Sequence, residues 1–305
     1  MNGRNVVSYA NETTEKRKME LLHQTPVMRI TTYVVGAILV TAQGAIADQG
    51  GKHLFILSGQ SNMARLDPNE SFAPAVFKEF GKANVIVVKD AKSGQPIRRW
   101  YKKWKPANAV SGAAGQSGTP GTRRIRSKSS EDGEKTSRAS KRRQRRSKNR
   151  RLVSQANGDL YDRLMKAVKA SIEGRKIETV TLVWMQGEAD SKEHGEVYAA
   201  SLKGLKSQVS EDLGRTDINF VIGRLSDHGL DSTRFPHWTM VRKAQIAVAN
   251  ADPRAVWVDT DDLNTGLDAK GKQVVDDLHY SVEGYKILGK RFADAAMSLV
   301  KKDGK

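Results

Sequence analysis

A serine and a histidine more than two hundred positions apart are the residues of this chain best placed to do chemistry. Ser61 stands in Gly59-Gln60-Ser61-Asn62-Met63, directly after the apolar run Leu54-Phe55-Ile56-Leu57. His279 stands in Asp276-Asp277-Leu278-His279-Tyr280. A hydroxyl at the exit of a buried strand can act as a nucleophile and an imidazole as its base. A carboxylate three residues before the imidazole can fix its tautomer. This division of roles is acyl transfer through Ser61, His279 and Asp276. The bland alternatives are a helix-capping serine and a turn in which Asp276 or Asp277 only caps backbone. Gly-x-Ser-x-Gly is not the pattern, because Met63 occupies the place of its second glycine, which argues against the nucleophile elbow of α/β-hydrolases. Of six histidines, only His279 lies in an Asp-x-x-His turn.

Two further segments could serve the same reaction. Val183-Trp184-Met185-Gln186-Gly187-Glu188-Ala189-Asp190 ends a buried run with three polar side chains. Gln186 could donate to a developing oxyanion, Glu188 could support the histidine, and Asp190 is expected to cap the next helix. Lys92-Ser93-Gly94-Gln95-Pro96 follows another apolar run, and Gly94 could offer a backbone N–H to the same oxyanion. Arg98, Arg99, Trp100, Tyr101 and Trp104 come soon after. Contact with a ligand, core packing and a solvated basic face are all open for them.

These residues need a scaffold that brings strand exits together. Short runs rich in Val, Ile and Leu at Leu54–Leu57, Val85–Val88, Val180–Met185, Phe220–Ile222 and Val256–Val258 lack strict alternation, as expected of strands covered on both faces. Between and after them, Leu160–Ile172, Val197–Leu213, His237–Ala249 and Val282–Val300 have helical spacing. Alternating strands and helices predict an α/β fold with a parallel sheet, whose ligands bind at the carboxyl edge.

The charge of +18 over 305 residues suggests nucleic acid, but it is unevenly placed. Residues 107–152 hold 14 Lys and Arg against three acids. The segment 107–157 is rich in Ser, Gly, Arg and Lys and poor in large apolar residues, so it is expected to be a disordered insertion. Trp104-Lys105-Pro106 and Gly158-Asp159 would join naturally without it. No cysteine is present, which excludes disulfides, thiol catalysis and cysteine metal sites. Arg29, the apolar stretch Tyr33–Val40 and Ala45-Ile46-Ala47-Asp48 read as an export signal, too short to span a membrane. Residues 1–52 are thus expected to be an upstream extension plus a leader at 28–47, with Met28 as the start of the natural protein. Cleavage after Ala47 would give an exported protein with no transmembrane span in the mature chain. Residues 53–305 are expected to form a single domain.

At Gly59–Met63, Gly94, Trp184–Asp190 and Asp276–Tyr280 the chain resembles the SGNH/GDSL hydrolase superfamily, in its sialate O-acetylesterase-like branch with the family-six carbohydrate esterases and acetylxylan esterases. The resemblance covers about His53 to Val300, apart from the insertion. It implies a three-layer α/β/α sandwich with a flavodoxin-like, parallel sheet of about five strands. It places Ser61 as nucleophile, His279 as base and Asp276 as orienting acid. Ser61, Gly94 and Gln186 form the oxyanion hole, with Glu188 as a second support for the histidine. The implied reaction is removal of O-acetyl groups from a carbohydrate through an acetyl-serine, without metal or cofactor. Two readings compete. One is a polyanion-binding protein acting through the basic segment 123–151; in an exported protein an anionic polysaccharide or a membrane surface fits it better than a specific nucleic acid, and the segment lacks aromatics for base stacking. The other is a catalytically inactive carbohydrate-binding member of the same fold.

Overall fold

The computed structural model describes residues 7–8, 51–107 and 156–303. Five strands form a parallel sheet: β2 (Lys52–Gly59), β3 (Val85–Ala91), β4 (Ile177–Met185), β5 (Asn219–Gly223) and β6 (Ala255–Val258). A two-residue strand, β1 (Val7–Ser8), pairs antiparallel with β3, giving the order β1-β3-β2-β4-β5-β6. All five strands foreseen from the apolar runs are present, each somewhat longer than its run. Leu54, Phe55, Ile56 and Leu57 are fully buried, as their continuous apolar character requires in a sheet covered on both sides.

The helices are α1 (Ser61–Arg65), α2 (Phe72–Phe80), α3 (Asp159–Ile172), α4 (Tyr198–Leu213), α5 (Trp238–Asn250) and α6 (Val282–Asp303). Right-handed crossovers put α2 on one side of the sheet and α3, α4 and α5 on the other. The packing agrees: α2 lies against α6, and α4 lies against α5. The result is a three-layer α/β/α sandwich. In α4 the buried residues Tyr198, Leu202, Leu205 and Val209 recur every three or four positions, which gives one apolar stripe facing the core. The helix α2 was not among the expected elements. Pro74 lies in its first turn, where a missing N–H has no intrahelical acceptor to lose.

The chain leaves β2 toward β3 on one side, then returns past β2 to β4. The direction of connection therefore reverses between β2 and β4, and the carboxyl ends of these strands frame a crevice. Gly59 closes β2 there. Its φ is +142°, and a Cβ would stand 2.0 Å from the Met185 carbonyl oxygen, so only glycine lets the strand ends approach this closely. The loop after β3 is fastened down by Trp100, which is fully buried and meets Trp184 edge-on at 5.3 Å between ring centres. Such a pair contributes roughly 0.5–1.5 kcal/mol beyond its burial. Gln208 fixes the same loop by donating to the Trp100 carbonyl at 2.9 Å and accepting from the Lys102 N–H at 3.0 Å. Trp100 is thus core and Arg99 is locked onto Asp159, so neither is free to stack on or pair with a ligand.

The expected leader at 28–47 and the basic segment 123–151 lie outside the described residues. The described residues around the expected insertion 107–157 meet: the Asn157 amide donates to the Trp104 carbonyl at 3.1 Å and the Gly158 N–H to the Arg98 carbonyl at 2.9 Å. Among the described residues, no helix is long and apolar enough to cross a membrane.

Candidate active site

Ser61, Gly94, Glu188 and His279 line one cavity of about 280 Å³, together with Gln60, Arg65, Lys192 and Phe235. This is near the small end of ligand pockets, which run from roughly 300 to 1,000 Å³. The strands explain who arrives: Ser61 follows β2, Gly94 follows β3, and Glu188 follows β4. His279 comes from the turn ahead of α6.

Ser61 opens α1 and is 6% exposed, with no hydrogen bond from its hydroxyl among the described residues. The backbone N–H groups of Ser61 and Gly94 likewise have no acceptor among the described residues. Gly94 adopts a φ of +68°, and its surroundings leave its Cα face open. The next residue, Asn62, was quoted in the sequence motif without a role, and it proves to be the hub of the site. Its amide donates to Glu188 Oε1 at 2.9 Å and to the Leu278 carbonyl at 3.2 Å, and its Oδ1 accepts from the Tyr285 hydroxyl at 2.8 Å. Asn62 therefore ties the serine segment to β4, to the histidine turn and to α6. No pattern in the sequence could have disclosed this, because each partner is more than a hundred residues away.

Glu188 is buried, and its Oε2 has no hydrogen-bond partner among the described residues. Burial pushes its carboxyl up to about 7, against the pull of the Asn62 hydrogen bond. His279 is half-buried, and burial, with the nearby Arg65 charge, lowers its pKa from the ordinary 6.5. Both shifts favour neutral groups around the serine.

Among the described residues, no hydrogen bond or ion pair joins Asp276 to His279. Asp276 Oδ1 accepts from the Asn264 amide at 2.9 Å, and the Asp276 carbonyl accepts from His228 Nδ1 at 2.6 Å. Asp276 also holds a φ of +46°, uncommon for a non-glycine residue. The carboxylate beside His279 is Asp277, whose Oδ1 accepts the His279 backbone N–H at 2.9 Å and stands 3.9 Å from the ring Nδ1. No hydrogen bond joins Ser61 to His279 among the described residues.

Gln186 does not line the cavity. It is fully buried, and its Nε2 donates to Asp190 Oδ2 at 2.6 Å and faces the Gln95 carbonyl and Gln60 Oε1, each at 3.2 Å. Its amide hydrogens are committed inside the protein, where they hold the Gly94 loop. Asp190 has the same task and is not simply a helix cap: its Oδ2 accepts the Ile97 N–H at 2.8 Å from that loop. Burial raises the Asp190 carboxyl to about 6. Among the described residues, no cluster of three or more His, Cys, Asp or Glu could hold a metal ion.

A three-layer sandwich with a serine, a histidine and an open glycine loop at its switch point is the architecture of SGNH/GDSL hydrolases, which are carboxylic ester hydrolases. Similar solved structures share the fold. A protein from Arabidopsis thaliana matches with a TM-score of 0.51 at 18% identity, over 82% of this chain and 99% of that one. A carbohydrate acetylesterase from Xanthomonas citri matches with a TM-score of 0.51 at 13% identity, over 83% of this chain and 57% of that one. No curated protein matches in sequence. The family model "carbohydrate esterase, sialic acid-specific acetylesterase" matches residues 146–298, and the chain belongs to that family. It is a carboxylic ester hydrolase of the carbohydrate acetylesterase kind, in the sialate O-acetylesterase-like branch.

Proposed function

We propose that the protein is a serine esterase that removes O-acetyl groups from carbohydrates through an acetyl-serine intermediate. The observation that carries this reading is the convergence of Ser61, Gly94 and His279, from three separate parts of the chain, on one small cavity. His279 takes the proton from Ser61 Oγ as that oxygen attacks the acetyl carbonyl. The N–H groups of Ser61 and Gly94 hold the tetrahedral oxyanion, and Gln186 keeps the Gly94 loop in place through Gln95. His279 then gives its proton to the sugar oxygen, the C–O bond breaks, and the deacetylated sugar leaves. Water, deprotonated by His279, attacks the acetyl-serine and releases acetate.

Asp276 is the orienting acid in this reading, because the Asp-x-x-His spacing offers it and Asp277 already caps the turn's backbone. It must exchange its hydrogen bond with Asn264 for one from His279. Glu188 is the second support, held toward the site by Asn62. Residues 53–305 act as one esterase domain, exported after removal of a leader ending at Ala47. N-terminal sequencing of the protein recovered from its own host tests the export step. An N-terminus upstream of residue 28 would sink it.

The test of the chemistry is Ser61→Ala in the purified protein, assayed for acetate release from acetylated xylan and for hydrolysis of p-nitrophenyl acetate. Loss of turnover, together with loss of covalent labelling by a fluorophosphonate, is expected. Undiminished turnover removes Ser61 from the mechanism.

A further inference from the structure

Lys89 is a lysine inside the sheet. It belongs to β3, is 8% exposed, and has no ion pair to a carboxylate among the described residues. Its neighbour Asp90 points to the opposite face, as the pleat demands, and is met there by Arg163 of α3, whose Nε donates to it at 2.7 Å. Lys89 has carbonyls instead. Its Nζ donates to the Ala64 carbonyl at 3.0 Å and to the Leu66 carbonyl. These groups belong to the last turn and the C-cap of α1, the helix that opens with Ser61. The final carbonyls of a helix lack partners within it, so an ammonium there satisfies them and complements the negative end of the helix dipole. A buried ammonium is costly to the fold, and an apolar residue in its place would be cheaper, so packing alone does not account for it. The geometry says what the amine holds. α1 has five residues and is about 7 Å long, so a shift of its carboxyl end moves Ser61. Gly94 leaves the same strand that carries Lys89. One side chain therefore fixes the serine helix against the strand that delivers the second oxyanion N–H.

We propose that Lys89 is a positioning residue for Ser61: its ammonium clamps the carboxyl end of α1 onto β3, and turnover falls when that ammonium loses its proton. The proposal rests on the esterase reading for its turnover, while the clamp itself is a matter of structure. Hydrogen bonds from an ionised donor are roughly twice as strong as those from a neutral one, so deprotonation loosens both contacts at once. Burial brings the amine down to about 8, against the pull of the Asp67 carboxylate in the turn after α1. The other charged groups on the elements packed around it, Arg65 on α1, Glu70 ahead of α2, and Lys78 and Glu79 on α2, are exposed, and Glu79 is paired with Lys301. The neighbouring strand places the apolar Leu57 beside Lys89.

Two measurements test it on the full chain. The first is the pH profile of kcat for p-nitrophenyl acetate, with the S61A protein as the blank at each pH. The wild type is expected to lose about half its kcat near pH 8 and about tenfold by pH 9. K89M, which has no donor, is expected to lose about tenfold in kcat at pH 7 with KM changed less than about twofold, and to show no limb near 8. K89R stays charged over the whole range and is expected to recover turnover and carry it unchanged through pH 9. A wild type without the limb overturns the proposal whether or not the variants fold, and so does a limb that persists in K89M or K89R; the esterase reading survives all three results. The second is backbone amide hydrogen exchange of residues 60–66, compared between wild type and K89M at one pH, with residues 177–185 of β4 as the internal reference. Faster exchange confined to 60–66 is expected. If the wild type turns over no ester but this difference is seen, the esterase reading falls and the clamp stands. Equal exchange of 60–66 in the two proteins removes the clamp.

Discussion

Replacing Glu188 with glutamine gives a sharp test of the electrostatics of this site. In the folded protein the Glu188 carboxyl is held near 7, and burial is the chief cause. In the unfolded chain it returns to about 4.5, the ordinary value for glutamate. Between these two values the folded state binds the extra proton, so stability falls as pH rises through that window and levels off above 7. Burying this carboxyl therefore costs about 3 kcal/mol at pH 8, where it has to ionise, and almost nothing at pH 4, where it is largely protonated in both states. Glutamine has the same shape and can still accept the Asn62 hydrogen bond at Oε1. Its new amide group would point where Oε2 now lacks a partner, which carries a penalty of its own. That penalty is the same at both pH values. The quantity to measure is therefore the stability of E188Q minus that of the wild type, by urea unfolding at pH 8 and again at pH 4. The two differences should themselves differ by about 3 kcal/mol, with the variant gaining at the higher pH. Equal differences at the two pH values would refute the claim that Glu188 is an ionisable group trapped out of water. The same variant should lose turnover if the charge supports the His279 imidazolium, so stability and activity are expected to move in opposite directions.

D276N is expected to lower kcat by about 10³–10⁴, as loss of a tautomer-fixing acid does, and D277N by less than tenfold. The reverse order in steady-state kinetics would transfer the role to Asp277. The acid limb of kcat/KM that belongs to His279 should fall below pH 6.5, because burial and the Arg65 charge both disfavour the imidazolium, and R65Q should move it upward. A limb that stays in place in R65Q would mean that the charge of Arg65 does not reach His279. G59A is expected to destabilise the fold by more than about 3 kcal/mol, or to prevent soluble expression, since its Cβ would overlap the Met185 carbonyl. A G59A protein with wild-type unfolding would show that the β2 and β4 exits need not approach so closely.

The five parallel strands were legible because each is buried on both faces and so has to be written as a continuous run of apolar residues. Leu54–Leu57 and Val180–Met185 could hardly be anything else once Gly and polar residues bounded them. The helices after residue 158 were legible for a related reason, since one apolar stripe must face the sheet. Ser61 and His279 could be singled out by type and local spacing, and the resemblance at four strand exits gave them partners. The allocation of hydrogen bonds was not legible. Gln186 has the residue type of an oxyanion donor, yet its amide hydrogens turn inward to Asp190 and Gln95. Asp276 has the right spacing from His279, yet its carboxylate turns to Asn264.

Charge shows the same division. The sequence states how many arginines and aspartates there are, but pairing depends on which of them folding sets within a few ångströms. Arg98 and Arg99 stood beside Gly94 in the chain, and Arg99 became a structural partner of Asp159. Arg65 at the end of α1, Lys192 after β4 and Arg234 ahead of α5 carried no motif, and met at the cavity with no ion pair to an acid among the described residues. Burial pattern is a local property repeated along each element, so the order of apolar residues along the chain set the layers of this protein. The hydrogen bonds and charges of the site are set by groups far apart in the chain, and only the assembled tertiary structure decided which of them would face the substrate.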